Sequence, residues 1–112
     1  MARIKQVKKG VATVLSAEFP LVGDVTVALR DKIHACLDAG ELSLIIDFQQ
    51  VPHLDSIGLE MLLSCSRLAR RKGGVLKIAH VTSTCQDIFI ATRLGHVLEI
   101  YADLSKALQS FL

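Results

Sequence analysis

The chain has 112 residues, which is the size of one ordinary domain. Hydrophobic residues make up 51% of it, enough for a buried core, and this composition excludes a disordered chain. Aromatic residues make up only 4%, so the core should be aliphatic. The net charge of +2 excludes nucleic acid as an expected partner, because nucleic acid selects basic stripes and stacking aromatic side chains.

The three cysteines, Cys36, Cys65 and Cys85, lie far apart and form no CxxC spacing. We expect free thiols in a reducing cytosol. Residues 1–20 begin with basic residues as a signal peptide does, but Glu18 interrupts the apolar stretch and no small-residue cleavage site follows. No apolar run approaches the roughly 20 residues of a membrane helix. The expectation is a soluble, cytoplasmic protein with no membrane partner.

The first part of the chain predicts two strands and a helix. Residues 3–9 alternate weakly, as in an edge strand, and residues 11–19 are rich in β-branched side chains. Residues 20–23 break this strand, and Asp24 is predicted as the N-cap of a helix that stops at residues 38–40. Positions at helical spacing follow that cap: Val25, Ala28, Leu29, Lys32, Ile33 and Cys36.

The rest of the chain alternates buried strands with helices. Residues 42–48 form a continuous apolar run, typical of a strand covered on both faces. The later elements are predicted as a helix at 57–72 ended by Gly73 and Gly74, a strand at 75–81, a helix at 83–95 with a Ser83–Gln86 capping box and a glycine stop, a strand at 97–102, and a helix at 104–112 capped by Asp103. This alternation predicts one α/β domain, with a mixed, mostly parallel sheet of four to five strands and about four helices.

Ser56 stands where the most hydrophobic strand gives way to a helix, at the carboxyl-end edge of the sheet where ligands and partners of such folds gather. One interpretation is structural: Ser56 is the N-cap or first residue of the helix, and Gly58 allows close packing. The other is functional. A helix N-terminus accepts an anion, so a phosphate on Ser56 would be tolerated there, and Asp55 would orient the hydroxyl or the local turn.

The residues from Asp55 to Leu59, "DSIGL", follow a strand that ends in Asp47-Phe48 and resemble the "D-S-[ST]-G-[LA]" signature of bacterial anti-sigma factor antagonists, the STAS domain family. The ending "FIATRLGHVLEIYADLSKAL" is similar to that family as well. The resemblance implies a STAS domain over residues 1–112 and phosphorylation of Ser56, with Asp55 and Gly58 supporting the motif. It also implies a partner surface made of Leu54, Asp55, Ser56, Ile57, Leu59, Glu60, Met61, Gly23 and Asp24.

Two departures from the family pattern concern the partner. Ile57 replaces the usual second hydroxyl residue, which leaves one phosphoacceptor in the motif, and the loop before the first helix reads "PLVGD". By resemblance, the unphosphorylated form binds an anti-sigma factor that is also a serine kinase, and this releases the sigma factor. The kinase phosphorylates Ser56 with its own ATP, and a PP2C-type phosphatase restores the serine. The chain itself would need no cofactor and would catalyse nothing.

An alternative within the same family is a non-sigma STAS module, which regulates or forms part of a transport, lipid-trafficking, secretion or biofilm complex. Other chemistries find less support. A serine hydrolase would need a nucleophile, a base and an oxyanion hole, and the sequence has no G-x-S-x-G elbow. It also has no P-loop motif, which argues against a nucleotide-binding site. The histidines show no metal-ligand spacing with one another or with a cysteine: His34, His53, His80 and His96.

The helix predicted at 57–72 carries two further features. Its last turns hold the cations Arg67, Arg70, Arg71 and Lys72, which either form a solvated helix end or contact an acidic partner. Its apolar arc is wide for a helix lying on a sheet with one face in water. Either the helix is deeply buried, or one edge of it forms a docking surface near Ser56.

Overall fold

A computed structural model describes residues 3–112 of the chain. The described part contains five strands and four α-helices. In chain order these are β1 (Ile4–Lys9), β2 (Ala12–Ala17), α1 (Thr26–Asp38), β3 (Ser43–Asp47), α2 (Ser56–Arg71), β4 (Val75–Ala79), α3 (Ser83–Thr92), β5 (Glu99–Tyr101) and α4 (Leu104–Gln109). Two short 3-10 turns, Gly23–Val25 and Leu94–His96, precede α1 and β5.

The five strands form one sheet in the order β1-β2-β3-β4-β5. Strand β1 pairs antiparallel with β2, and every later pair is parallel. Each parallel step needs a crossover, and the helices α1, α2 and α3 supply the three crossovers in turn. The predicted fold class, a mixed and mostly parallel sheet with about four helices, is therefore confirmed.

The main core lies between the sheet and the helices α1, α2 and α3. Alternate residues of the central strands point into it, as the strand period of two requires. Its strand members include Leu15, Leu44, Ile46, Leu76 and Ile78, and its helix members include Leu29, Ile33, Leu62, Cys65 and Phe89. The only aromatic pair within residues 3–112, Phe48 with Phe89, has ring centroids 6.2 Å apart, so the core is mainly aliphatic as expected.

The opposite face of the sheet is covered by the short helix α4. A smaller cluster around Val14, Ile45 and Ala107 packs there. Lys77 also points to this face and is 5% exposed. Its ammonium donates to the Ser110 hydroxyl at 2.6 Å, lies 3.6 Å from Glu99 Oε1 and sits 4.0 Å from the centroid of the Phe111 ring. These contacts replace the water that the buried charge has lost.

The start of α1 differs from the prediction. Asp24 is not its N-cap: the 3-10 turn Gly23–Val25 runs directly into the helix, and the N-cap residue Val25 is already right-handed, with φ −63° and ψ −27°. A residue in that conformation leads the chain straight into the helix, and no side chain caps it. Val25, the first of the residues at helical spacing, precedes the helix and is 42% exposed.

The predicted capping box and glycine stop of α3 were wrong as well. The N-cap is Thr82, and its hydroxyl donates to the carbonyl of Val51 at 3.1 Å, so it ties two loops together instead of capping the helix. Ser83 is the first helical residue. At the other end the helix stops at Thr92, and the left-handed residue after it is Arg93, with φ +61°. The two elements that follow α3 are also shorter than predicted. Strand β5 was predicted to end at residue 102 and helix α4 at residue 112, and both end earlier.

The wide apolar arc of α2 is explained by burial. The helix packs on α1 and on β4 together, so both of its stripes are covered. Seven residues are buried: Gly58, Leu59, Met61, Leu62, Cys65, Ser66 and Ala69. The first turn of the helix still exposes Ser56, Ile57 and Glu60, so a docking surface near Ser56 is confined to that turn. Within residues 3–112 no helix combines the length and the apolar character that crossing a bilayer requires.

Gly74 gives a test of the close packing between the turn that follows α2 and the residue before β3. A Cβ atom at this position would collide with the backbone carbonyl oxygen of Leu42 and would lie 2.9 Å from the Leu42 Cβ. We expect Gly74→Ala to lower the free energy of unfolding by about 1–3 kcal/mol in urea denaturation, because the backbone must shift. The control is Gly10→Asn, which has open space and a φ of +60° that Asn tolerates. Equal losses in both variants would contradict the packing argument.

Candidate functional site

Two loops meet at the carboxyl ends of β2 and β3. Leu21 and Leu54 form an isolated parallel bridge. The backbone N–H of Leu21 donates to the carbonyl of His53 at 3.0 Å, and the N–H of Asp55 donates to the carbonyl of Leu21 at 3.1 Å. The bridge extends the pairing of β2 with β3 beyond the strands themselves. It fixes the loop before α1 against the loop before α2.

Asp55 completes this junction with its side chain. It is the N-cap of α2, and its Oδ1 accepts from the N–H of Gly58 at 3.0 Å. Its Oδ2 accepts from the N–H of Gly23 at 3.0 Å, across to the other loop. The hydrogen bond from Gly58 is the main reason that the pKa of the Asp55 carboxyl lies below its ordinary value, and the bond from Gly23 lowers this pKa further. One carboxylate thus begins a helix and joins two loops.

Ser56 is the first residue of α2 and is exposed. Of the two structural roles considered from the sequence, first helical residue is therefore correct, and the cap is Asp55. Both Asp55 oxygens accept from backbone N–H groups, so Asp55 orients the local turn rather than the Ser56 hydroxyl. The hydroxyl is left facing solvent at the positive end of the helix dipole.

Gly58 is needed because two backbones approach closely. It is buried, and a Cβ atom added there would collide with the carbonyl oxygen of Leu21 and lie 3.1 Å from the Leu21 Cβ. The Leu21 carbonyl already accepts from the N–H of Asp55 and has no room to move away. A side chain at position 58 would push α2 away from the loop that carries Gly23.

The residues exposed around Ser56 form a small surface, called here the Ser56 surface. Ile57 is 53% exposed and Val25 is 42% exposed, so two aliphatic side chains flank the serine on the two joined loops. The other exposed members are charged: Asp24 and Glu60. Segments 20–29 and 48–66 contain no Lys or Arg, so carboxylates are the only charges of these two segments apart from His53.

The remaining predicted partner residues lie beneath this surface. Leu54 is 1% exposed, Leu59 8% and Met61 7%, and all three belong to the main core. Gly23 and Asp55 are half-buried. We assign these residues to holding the surface in place. Direct contact with a partner is open to the Ser56 surface: Asp24, Val25, Ser56, Ile57 and Glu60.

Two residues that matter at this junction, Leu21 and Val25, were not predicted from the sequence. Leu21 is fully buried, and its backbone takes part in both backbone hydrogen bonds that join the loops. Its place in the apolar stretch Phe19-Pro20-Leu21-Val22 does not distinguish it from its neighbours. The second residue is Val25, which ends the 3-10 turn before α1 and is 42% exposed, and this turn has no signature in the sequence.

The structure gives no support for a metal site or a nucleophilic catalytic site around Ser56 in the described residues. Among residues 3–112 no three His, Cys, Asp or Glu side chains are grouped so that they could hold a metal ion. His80 pairs through Nδ1 with Asp47 at 3.3 Å, and among the described residues no hydrogen bond joins Ser56 to a histidine. All three cysteines are free thiols in the core, and desolvation raises the pKa of Cys65 to about 11. A thiol with so high a pKa is a poor nucleophile at neutral pH.

Comparison with known proteins decides the family. The profile of the STAS domain matches residues 3–107. The chain belongs to the STAS domain family. A search of curated protein sequences finds no match for this STAS domain.

Solved structures agree in fold. An anti-sigma factor antagonist from Mycobacterium paratuberculosis is 22% identical, with a TM-score of 0.83, covering 98% of this chain and 93% of its own. The phosphorylated form of the Bacillus cell fate determinant SpoIIAA is 18% identical, with a TM-score of 0.71 over 100% of both chains. A sulfate transporter family protein from Wolinella succinogenes is 17% identical, with a TM-score of 0.74, covering 93% of this chain and 87% of its own. At these identities the likeness concerns the fold.

The lowered pKa of Asp55 predicts how the junction responds to acid. A group whose pKa is lower in the folded state stabilises the fold above its unfolded pKa of about 3.9, and this contribution is lost as the pH falls through the folded value. We therefore expect the wild type to be more stable than Asp55→Asn at pH 7, and the difference to shrink below about pH 4. The Asn amide can still accept from Gly58 but presents a donor to the Gly23 N–H.

The measurement is urea denaturation of both proteins across this pH range. The control is Asp24→Asn, which removes a carboxylate that makes no capping bond. A stability difference for Asp55→Asn that stays constant down to pH 2 would show that the charge of Asp55 contributes nothing to the junction.

Proposed function

We propose that this STAS domain is a protein-binding regulator that is switched by phosphorylation of Ser56. The observation that carries the proposal is the placement of an exposed serine at the start of α2, on a junction that Asp55 and Gly58 hold rigid. Ile57 leaves Ser56 as the single hydroxyl within the motif. In its unphosphorylated form the chain binds an anti-sigma factor that is also a serine kinase, and the sigma factor is released.

The position of Ser56 favours a reversible modification. A phosphate there adds about −1.5 to −2 charges at a helix N-terminus, where the dipole stabilises an anion by typically ~0.3–1 kcal/mol. The serine is exposed and is not the cap, so neither the phosphate nor its removal disturbs the hydrogen bonds of Asp55. The free domain therefore accepts either state without refolding.

The same surface explains why phosphorylation would block binding. Ser56 is exposed next to Ile57 at the start of α2, so a partner that covers Ile57 also covers Ser56. Burying the phosphate without a matching cation costs far more free energy than the helix dipole returns. The partner would be the kinase itself, using its own ATP, and a PP2C-type phosphatase would restore the serine. The chain acts in the cytoplasm as substrate and ligand, with no catalysis and no cofactor of its own.

A second candidate function is a non-sigma STAS module in a transport, lipid-trafficking, secretion or biofilm complex. The observation in its favour is the similar fold of the Wolinella sulfate transporter family protein. A pull-down with wild type and with Ser56→Asp separates the two functions. Recovery of a serine kinase by wild type alone supports the switch, whereas recovery of a transporter or lipid-trafficking complex by both proteins supports the second candidate.

The first prediction of the switch concerns the site of phosphate. With ATP and an anti-sigma factor/serine kinase from the same organism, mass spectrometry should place the phosphate on Ser56. Ser56→Ala should abolish labelling and change the free energy of unfolding by less than about 1 kcal/mol, because Ser56 does not cap α2. Ser64→Ala, an exposed serine further along the same helix, is the matched control and should be labelled normally. Phosphate on Ser64 or on a threonine would refute the assignment.

The second prediction concerns the mode of switching. Phosphorylation should lower the affinity for the kinase by tenfold or more, at ~1.4 kcal/mol per tenfold, and Ser56→Asp should reproduce part of this loss because it carries less charge. Amide NMR shifts of the phosphorylated domain should change around residues 53–62 and in the joined loop at 21–25. Shifts spread over the whole sheet, or an affinity that the phosphate leaves unchanged, would contradict the local mechanism.

A further inference from the structure

A second exposed apolar surface lies at the opposite end of the sheet from Ser56. Helix α3 begins after the carboxyl end of β4 and returns the chain to the start of β5, which is parallel to β4. The residues between Thr92 and Glu99 therefore lie at the amino ends of the strands. Ser56 follows the carboxyl end of β3, so the two surfaces do not overlap.

Two aliphatic side chains are exposed at this end. Ile90 is 64% exposed, more than Ile57 on the Ser56 surface, and Val97 is 51% exposed. Beside them is a cavity of about 240 Å³, which we call the α3 groove, lined by Phe89, Ile90, Arg93 and His96. Phe89 is fully buried and forms the floor, so the opening offers an apolar base between a cation and a histidine.

The conformation of Arg93 is unusual for its residue type. With φ +61° and ψ +18° it is left-handed, a conformation that is unfavourable for residues with a side chain and that glycine normally adopts after a helix. Its side chain is exposed and forms no ion pair with the described residues. An arginine kept at a position that favours glycine points to a use for its charge.

The surroundings of the groove are basic. Helix α2 ends at the same end of the sheet, and its Arg70 reaches Glu99, the first residue of β5, at 4.0 Å. Arg71 follows Arg70 and is exposed. The nearest carboxylate along α3 is Asp87, one helical turn before Ile90 and away from Arg93. The excess of positive charge therefore lies on the side of the groove formed by the end of the helix.

We propose that the α3 groove docks an acidic protein segment that anchors one large apolar side chain beside Arg93. Ile90 and Phe89 line the groove with apolar surface that fits an apolar anchor, and the cations fit Asp or Glu next to it. Nucleic acid is a poorer fit, because the groove exposes no aromatic side chain for stacking. A segment bound here leaves the Ser56 surface free, so the domain can be held on one protein while another reads Ser56.

The test is selection of short random peptides displayed on phage against the immobilised full chain, followed by fluorescence anisotropy with the enriched peptides. Enriched peptides should combine Asp or Glu with a large apolar residue. Arg93→Gly and Ile90→Gln should each weaken their binding about tenfold or more. Arg93→Lys, which keeps the charge, should lose less than Arg93→Gly. Ile57→Gln, the matched exposed position at the other end of the sheet, should bind as wild type does.

A loss of binding in Arg93→Gly cannot be attributed to unfolding, because glycine adopts the left-handed conformation of position 93 more readily than arginine does. The melting temperature of Arg93→Gly should be unchanged or slightly higher than that of wild type. The proposal is overturned if no acidic-apolar peptides are enriched, if Arg93→Gly binds them as well as wild type, or if Ile57→Gln abolishes binding. Sedimentation of wild type but not Arg93→Gly with anionic phospholipid vesicles, in place of peptide binding, would assign the groove to a membrane surface and equally overturn it.

Discussion

The carboxylate of Asp55 accepts hydrogen bonds from two glycines that are 35 residues apart in the chain, Gly23 and Gly58. The first bond fixes the loop before α1, and the second begins α2. An isolated capping bond contributes about 1 kcal/mol, but this one also determines where Ser56 stands relative to Val25. The parallel pairing of β2 with β3 brings the loops together, and Asp55 sets their final register. A recognition surface made from two loops depends on such a link, because loops otherwise move independently.

The proposed switch and the proposed groove use the same α/β architecture in different ways. Every parallel crossover places one helix start at the carboxyl ends of the strands and one helix end at the amino ends. Helix starts favour anions, and helix ends collect cations. Ser56 with the carboxylates of Asp24 and Glu60 at one end, and Arg70, Arg71 and Arg93 at the other, follow this polarity. A domain of this kind is suited to being modified at one end and held at the other.

The periodicity of the sequence predicted most strands and helices, because the residues that they bury are strongly apolar. Residues 42–48 and 75–81 read as buried strands, and the residues that form β3 and β4 are almost entirely buried. Ser56 could be singled out because the motif joins a serine to its cap and its close-packed glycine. The failures occur where tertiary contacts decide local geometry. Thr82 gives its hydroxyl to Val51 instead of its own helix, and the 3-10 turn before α1 turns Val25 outward.

The close contact between Gly58 and the carbonyl of Leu21 divides the Ser56 surface into two kinds of position. Positions 55 and 58 are constrained by backbone geometry, so most substitutions there damage the fold before they can alter recognition. Positions 25 and 57 project into solvent and carry little folding energy. Partner preference can therefore drift during evolution through the exposed aliphatic pair, while the geometry that presents the serine is inherited unchanged. Under the proposed switch, a duplicated copy of this domain could acquire a new partner through one or two substitutions while keeping Ser56 in the same position.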